Sequence, residues 1–305
     1  MNGLSEPAKY TPWTKGVYDV SPSLKALGTD YGNGAADARW FQFDSRREEF
    51  LASKHRAIAE NPDKYVFRAG LTGDVERAAF KEMAFRLSVE YPQDFGFEFG
   101  SDGLKVATET DPVTVLGGLD ELAMVVQEDI CVVSTSEGKD WLSYLHICSP
   151  SHWRASEKIG KPFFDVHEVI PGFDKVNRVA GSLVEAMVQK GPFVRFVWGV
   201  ESDDRPNHHP DAPYGHDPRD WDGRDFSKGR FWVRSERQVI WGLPEVGAAL
   251  FTIKVSHMPG SEVLDSPYLR DSLVASLESM SPESRKYKGL ARDWGNLMRL
   301  LAPEA

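Results

Sequence analysis

Residues 130–148 read ICVVSTSEGKDWLSYLHIC. Two β-rich runs, ICVVST and WLSYLHIC, flank the turn-forming SEGKD, which is the pattern of an antiparallel hairpin. The chain before it reads differently. DSRREEFLASKHRAIAENPDKYVF (44–67) sets Phe50, Leu51, Ile58 and Ala59 on one helical face, with Asp44 or Ser45 able to cap it. GDVERAAFKEMAFRLSVEYPQ (73–93) is a second helix, with Asp74 placed as its cap and Pro92 as its stop. PVTVLGGLDELAMVVQED (112–129) reads as a third helix or a helical pair. Helical spacing gives way to strand spacing at the hairpin.

Beyond the hairpin the segment CSPSHWRASEKIGKPFFDVHEVIPG (148–172) has few regular features, and NRVAGSLVEAMVQKG (177–191) is helical, with Val179, Leu183 and Met187 on one face. Three more strands follow: VRFVWGVES (194–202), FWVRSERQVIWGLP (231–244) and AALFTIKVSH (248–257). The stretch between the first two is crowded with Asp, Pro, Gly and His and reads as a long loop, of a kind that is usually functional or mobile. Helices close the chain from residue 266. The sum is an α+β fold with an antiparallel sheet of about five strands and helices at both ends. Residues 1–37 read as an irregular arm, and 38–305 as one domain with helical extensions.

Composition narrows the partners. The 305 residues hold 36 Lys and Arg against 46 Asp and Glu, a net charge of −10. Such a body repels a phosphate backbone, so nucleic acid is not an expected partner. No apolar run reaches the roughly 20 residues that span a bilayer, so no membrane is expected either. The N-terminus lacks the layout of a signal peptide. Two cysteines, Cys131 and Cys148, suggest a reducing compartment, so a cytoplasmic location is expected.

Familiar catalytic signatures are missing: there is no Gly-rich phosphate loop, G-x-S-x-G elbow, H-E-x-x-H or C-x-x-C. Candidate metal ligands are histidines. NHHPDAPYGHD (207–217) offers His208, His209, Asp211, His216 and Asp217, in a spacing that more often belongs to a solvated loop. His146 reads as a half-buried strand residue.

Three motifs in order suggest a family: VVQEDICVV (125–133), CSPSHWRASEKIGKPFFDVHEVIPG (148–172) and VRSERQVIWGLPEVGAALFTIKV (233–255). With WFQFD…KHRAI before them, they resemble the haem-dependent oxidative N-demethylases over roughly residues 38–290. The resemblance implies a PAS-like haem domain that oxidises an alkylamine with O2, releasing aldehyde. It implies haem b as the cofactor, and electrons from separate flavin and iron–sulfur reductase components. The family's IH-x-PVPG element is matched by VHEVIPG, which puts His167 at the family histidine and makes it the expected metal ligand. Neutral imidazole suits haem iron. His152, in a polar run, and Cys148 are its rivals.

Propionates need cations, and Lys158, Lys161, Arg234 and Arg237 are the candidates. Strand alternation puts Arg237 with Val233 and Ser235, opposite Arg234, Glu236 and Gln238, so both arginines cannot reach one pocket. Arg237 matches the family's ERQ element and is the expected contact. A carboxylate should hold the protonated amine and later take its proton; Glu128, Asp129 and Glu236 are the candidates. One departure stands out. Val197, in VRFVWGV, occupies the place of a family Asn, which shifts the expected substrate away from dimethylamine. A related haem enzyme acting on another nitrogen compound of a biosynthetic pathway is the nearest alternative. A haem-PAS gas sensor is the other.

Overall fold

The computed structural model describes residues 9–21, 23–31, 38–97, 104–106, 114–173 and 180–302. Its strands, in chain order, are β1 (Lys25–Ala26), β2 (Val66–Arg68), β3 (Phe95–Phe97), β4 (Leu104–Val106), β5 (Thr114–Leu116), β6 (Asp129–Ser136), β7 (Lys139–His146), β8 (Phe193–Glu201), β9 (Trp232–Leu243) and β10 (Ala248–Pro259). The main sheet is antiparallel and orders its seven strands β1-β8-β9-β10-β6-β7-β2; β3, β4 and β5 form a separate small sheet. The expectation of about five strands therefore undercounts. Five are long, and the two extra edge strands are only two and three residues.

The opening hairpin is β6–β7, closed by Glu137 and Gly138, both at positive φ, where a tight turn needs the left-handed region. β9 and β10 pair along twelve residues, from Ala248 opposite Leu243 to Pro259 opposite Trp232.

The helices before the hairpin are α1 (Arg47–Glu60), α2 (Gly73–Glu90) and α3 (Leu119–Ala123). α2 is capped by Thr72, whose hydroxyl accepts the Val75 N–H at 3.3 Å, not by Asp74, which lies two residues later, inside the first turn. α2 ends at Glu90, before Pro92. The expected third helix is shorter than its sequence pattern: Thr114–Leu116 goes to a strand, as its β-branched residues favour, and only Leu119–Ala123 is helical. Residues 112 and 113 of that stretch lie outside the described residues. The helix after the 148–172 segment, α4, spans Ala180–Gln189, and Val179 lies outside the described residues.

Each face of the main sheet buries its own core. On one side Val132, Tyr144, Val239, Trp241 and Leu250 pack under α2 and α3. On the other, Cys131, Leu145, Ile240, Phe251 and Ile253 pack against α4 and the 155–173 segment. α4 comes unusually close at Gly242, where a Cβ would lie 1.9 Å from the Val188 carbonyl; only glycine leaves room there. A third core joins Trp13 and Trp198 to Leu273, Leu277 and Leu297 of the C-terminal helices. No helix among the described residues is long and apolar enough to cross a membrane.

Candidate functional site

Alternation along the central strands sends one set of side chains to the α4 side. On β9 these are Arg234, Glu236 and Gln238; on β8 they are Arg195, Val197, Gly199 and Glu201, and Val197 lies directly opposite Glu236. Together with the 151–173 segment, the N-terminal arm and the C-terminal helices, they enclose a cavity of about 660 Å³. Its apolar walls include Leu142, Phe163, Phe173, Phe251 and Ile253.

His167 lines this cavity, at the end of a short helical turn over Asp165–His167. Its Nδ1 stands 2.5 Å from the Phe163 carbonyl oxygen. A carbonyl only accepts, so Nδ1 carries the proton and Nε2 keeps its lone pair. The ring is held between Phe163 and Phe173, with centroids 4.7 and 5.4 Å away. Burial pushes its pKa down to about 3, with Lys158 adding to the effect, so the imidazole is neutral at pH 7.

Around it the cavity is cationic. Lys158 lies 4.1 Å from the centre of the Trp153 ring and makes no ion pair among the described residues. Arg195, on β8, is half-buried, and its Nε is buried without a partner. Arg224 is in the same condition, and Lys288 donates one hydrogen bond, to the Trp198 carbonyl at 2.9 Å. Arg234 donates to the carbonyls of Pro206 and Ser149 at 3.0 and 2.5 Å, although its Nε, like those of Arg195 and Arg224, has no hydrogen-bond acceptor. Glu236 sits among them. Its carboxylate accepts from Gln238 Nε2 at 2.9 Å, lies 3.7 Å from Arg234, and offsets part of the desolvation of Lys158, Arg195 and Lys288.

Several expected site residues lie elsewhere. Glu128 and Asp129 do not line the cavity. Glu128 is fully buried on the opposite side of the sheet, accepts the Gln42 N–H at 2.7 Å, and is pushed up in pKa by burial. Asp129 accepts the Cys148 and Ser149 N–H groups at 2.9 and 2.8 Å, with Lys54 at 3.9 Å, so its work is to hold the chain at the start of the 148–172 segment. Arg237 faces away, as alternation requires, and donates to the carbonyls of Arg39 and Trp40. Lys161 is exposed, outside the cavity. Cys148 is buried against Ala57 and Tyr65, 3.8 Å from His146 Nδ1, and is no rival to His167.

The long loop brings in one histidine and leaves the others out. His152 and His208 stack, with ring centres 5.1 Å apart, and with Glu201 they offer ligand atoms all within 4.8 Å of one another. Each histidine has a carboxylate on its Nε2, while His208 Nδ1 is buried with no partner. His152 Nε2 bonds Glu201 at 2.9 Å, and His208 Nε2 bonds Asp203 at 2.9 Å. Burial resists ionisation of Glu201, yet His152 beside it holds its pKa down, at about 2. His209 turns to the Asp211 backbone, and His216 is exposed.

Sequence reasoning missed Arg195, Glu201, Arg224 and Lys288. The first two were readable, since they share the alternation of Val197. Arg224 and Lys288 come from an irregular loop and from the end of a surface helix, where no periodicity marks the inward residue.

A family model described as haem-dependent oxidative N-demethylase, alpha subunit-like, matches residues 33–298. No curated protein matches the chain.

Proposed function

The chain belongs to the family described as haem-dependent oxidative N-demethylase, alpha subunit-like, and from that premise we propose that it is the haem-bearing component of an amine-oxidising monooxygenase. The observation that carries this reading is His167, tied through Nδ1 to a carbonyl and presenting a neutral Nε2 to an apolar cavity rich in cations. His167 would hold the iron through Nε2. Lys158 and Arg195, the cations whose charge His167 feels most, would meet the propionates. The unpartnered Nε of Arg195 fits an anionic group missing from the protein itself.

Bound there, haem supplies oxygen activation that no side chain can supply. The chain's residues do the rest. Glu236 takes the ammonium of the substrate as an ion pair, orients the carbon next to nitrogen into the cavity, and accepts the nitrogen's proton. The phenylalanines of the wall exclude water from that carbon. Gln238 keeps the Glu236 carboxylate turned inward. Electrons come from a separate flavin and iron–sulfur reductase, a partner in keeping with an alpha subunit-like family. The chain has no C-x-x-C-H attachment motif, which supports haem b held without thioether links. Its two free, buried cysteines support a cytoplasmic setting.

A PAS-like reading of the sheet has support as well. Renumbered among themselves, the five long strands run 2-1-5-4-3, with α4 and the haem-side segment between the second and third. Val197, on the cavity wall opposite Glu236, favours a second version of the activity: a nitrogen substrate other than dimethylamine.

The test is oxygen uptake with a panel of methylated amines and a flavin reductase system. The expected result is amine-dependent uptake with aldehyde released in equal amount. Haem-loaded protein that takes up no oxygen with any amine in the panel would count against the enzyme and for a gas carrier.

A further inference from the structure

The cavity interior holds more positive charge than a haem can answer. Apart from Lys15, Lys25, Asp19 and Glu157, which are exposed, and Arg154, which is paired with Asp211, five cations line it: Lys158, Arg195, Arg224, Arg234 and Lys288. Two carboxylates face them, Glu201 and Glu236. With Glu236 given to the substrate's ammonium, Glu201 and the two propionates of a haem would answer three of the five, which leaves Arg234, held on two backbone carbonyls, and one further positive charge.

That charge has a location. Arg224 has Glu201 as its main opposing charge, and Lys288 lies within the influence of both Glu236 and Glu201, with Arg224 near it. Arg224 is held in place. Gly289, at φ +71, packs directly on its guanidinium, and a Cβ there would lie 2.1 Å from Nη1. Its Nε is buried with no acceptor, and neither residue makes an ion pair among the described residues. Lys288 has one hydrogen bond, to the Trp198 carbonyl, and so keeps two of its three donors. Glu201 answers one of the two charges, but its Oε2 is committed to His152 at 2.9 Å. Burial pushes Lys288 down in pKa, to about 8, in keeping with a site short of negative charge.

We propose that Arg224 and Lys288 form a subsite for an anionic group, carboxylate or phosphate, carried by the nitrogen substrate itself. The substrate is then zwitterionic, its ammonium on Glu236 and its anion on Arg224 and Lys288. This rests on the haem–amine reading above and names the class of molecule that reading leaves open.

Haem-loaded protein is titrated with dimethylamine, N,N-dimethylglycine and N,N-dimethylaminoethyl phosphate, with binding followed by calorimetry and by the Soret band. At least one of the two anionic amines should bind ten or more times more tightly than dimethylamine, and the tighter one identifies carboxylate or phosphate. Arg224→Gln and Lys288→Gln should each remove about tenfold or more of that preference, the size of a hydrogen bond to a charged group. Dimethylamine affinity and the Soret band should stay as they were. Equal or tighter binding of dimethylamine would overturn the subsite, and so would variants that weaken all three ligands alike. A Soret band lost in Arg224→Gln would assign that arginine to a propionate and overturn it too. Protein that takes up no haem at all would instead remove the parent reading, and the two failures are told apart by the spectrum.

Discussion

Glu128, Asp129 and Glu236 are equivalent as letters and differ in what surrounds them. Asp129 is buried, and its two oxygens serve the N–H groups of Cys148 and Ser149, so Asp129→Ala leaves those two donors without an acceptor and the buried Lys54 ammonium without its counter-charge. Removing one partner of such a buried pair costs about 3–5 kcal/mol, and urea unfolding should show a loss of that size. Glu236 faces the cavity; Glu236→Gln should change the unfolding midpoint little and weaken amine binding about tenfold. A large midpoint loss with unchanged amine binding would exchange the two roles. Lys288 gives a pH signature. Its folded pKa, about 8, lies below the ordinary lysine value of 10.5, so the unfolded chain binds more protons between those limits. Haem-free protein should therefore gain stability as pH rises through that window, and Lys288→Met should flatten the gain. Unfolding midpoints measured across the window decide it; the same slope in both proteins would contradict the assignment.

The strands were the most legible elements, because period-two alternation survives folding unchanged. VRSERQ correctly separates Arg234, Glu236 and Gln238 from Arg237. Expecting Arg237 at the cavity gave a motif more weight than that geometry. Arg195 and Glu201 follow from the same alternation on β8. The stretch before the hairpin was harder, since PVTVLGG and LDELA join in one apolar run and only pairing with β4 makes Thr114–Leu116 a strand. Gly242 is a requirement that sequence cannot show, since the close approach of α4 exists only in three dimensions. Gly242→Ala would push the Val188 carbonyl away. Overpacking of this kind costs about 1–3 kcal/mol, and since α4 packs on the cavity side of the sheet, haem affinity should fall with it. Heme retention equal to wild type, in a protein of unchanged midpoint, would show that α4 does not support the cavity.

The cavity belongs to the whole molecule, which explains why so much of it was invisible in the sequence. Its lining is drawn from Tyr10 to Lys288, and no local pattern links an N-terminal arm, a long loop and a terminal helix. The arm is anchored at Trp13, which is fully buried against Trp198 and whose carbonyl accepts the Ser276 hydroxyl at 2.7 Å. Trp13→Ala should cost about 3–5 kcal/mol and speed haem transfer to apomyoglobin; unchanged transfer would mean the arm does not close the cavity. All of this depends on His167 gripping a haem, and the direct measurement is a haemin titration followed by absorption. Wild type and Cys148→Ala should each take up one equivalent with the same Soret band, while His167→Ala should bind haemin weakly and with a shifted band. A His167→Ala protein that binds one equivalent with the wild-type affinity and spectrum would contradict the account.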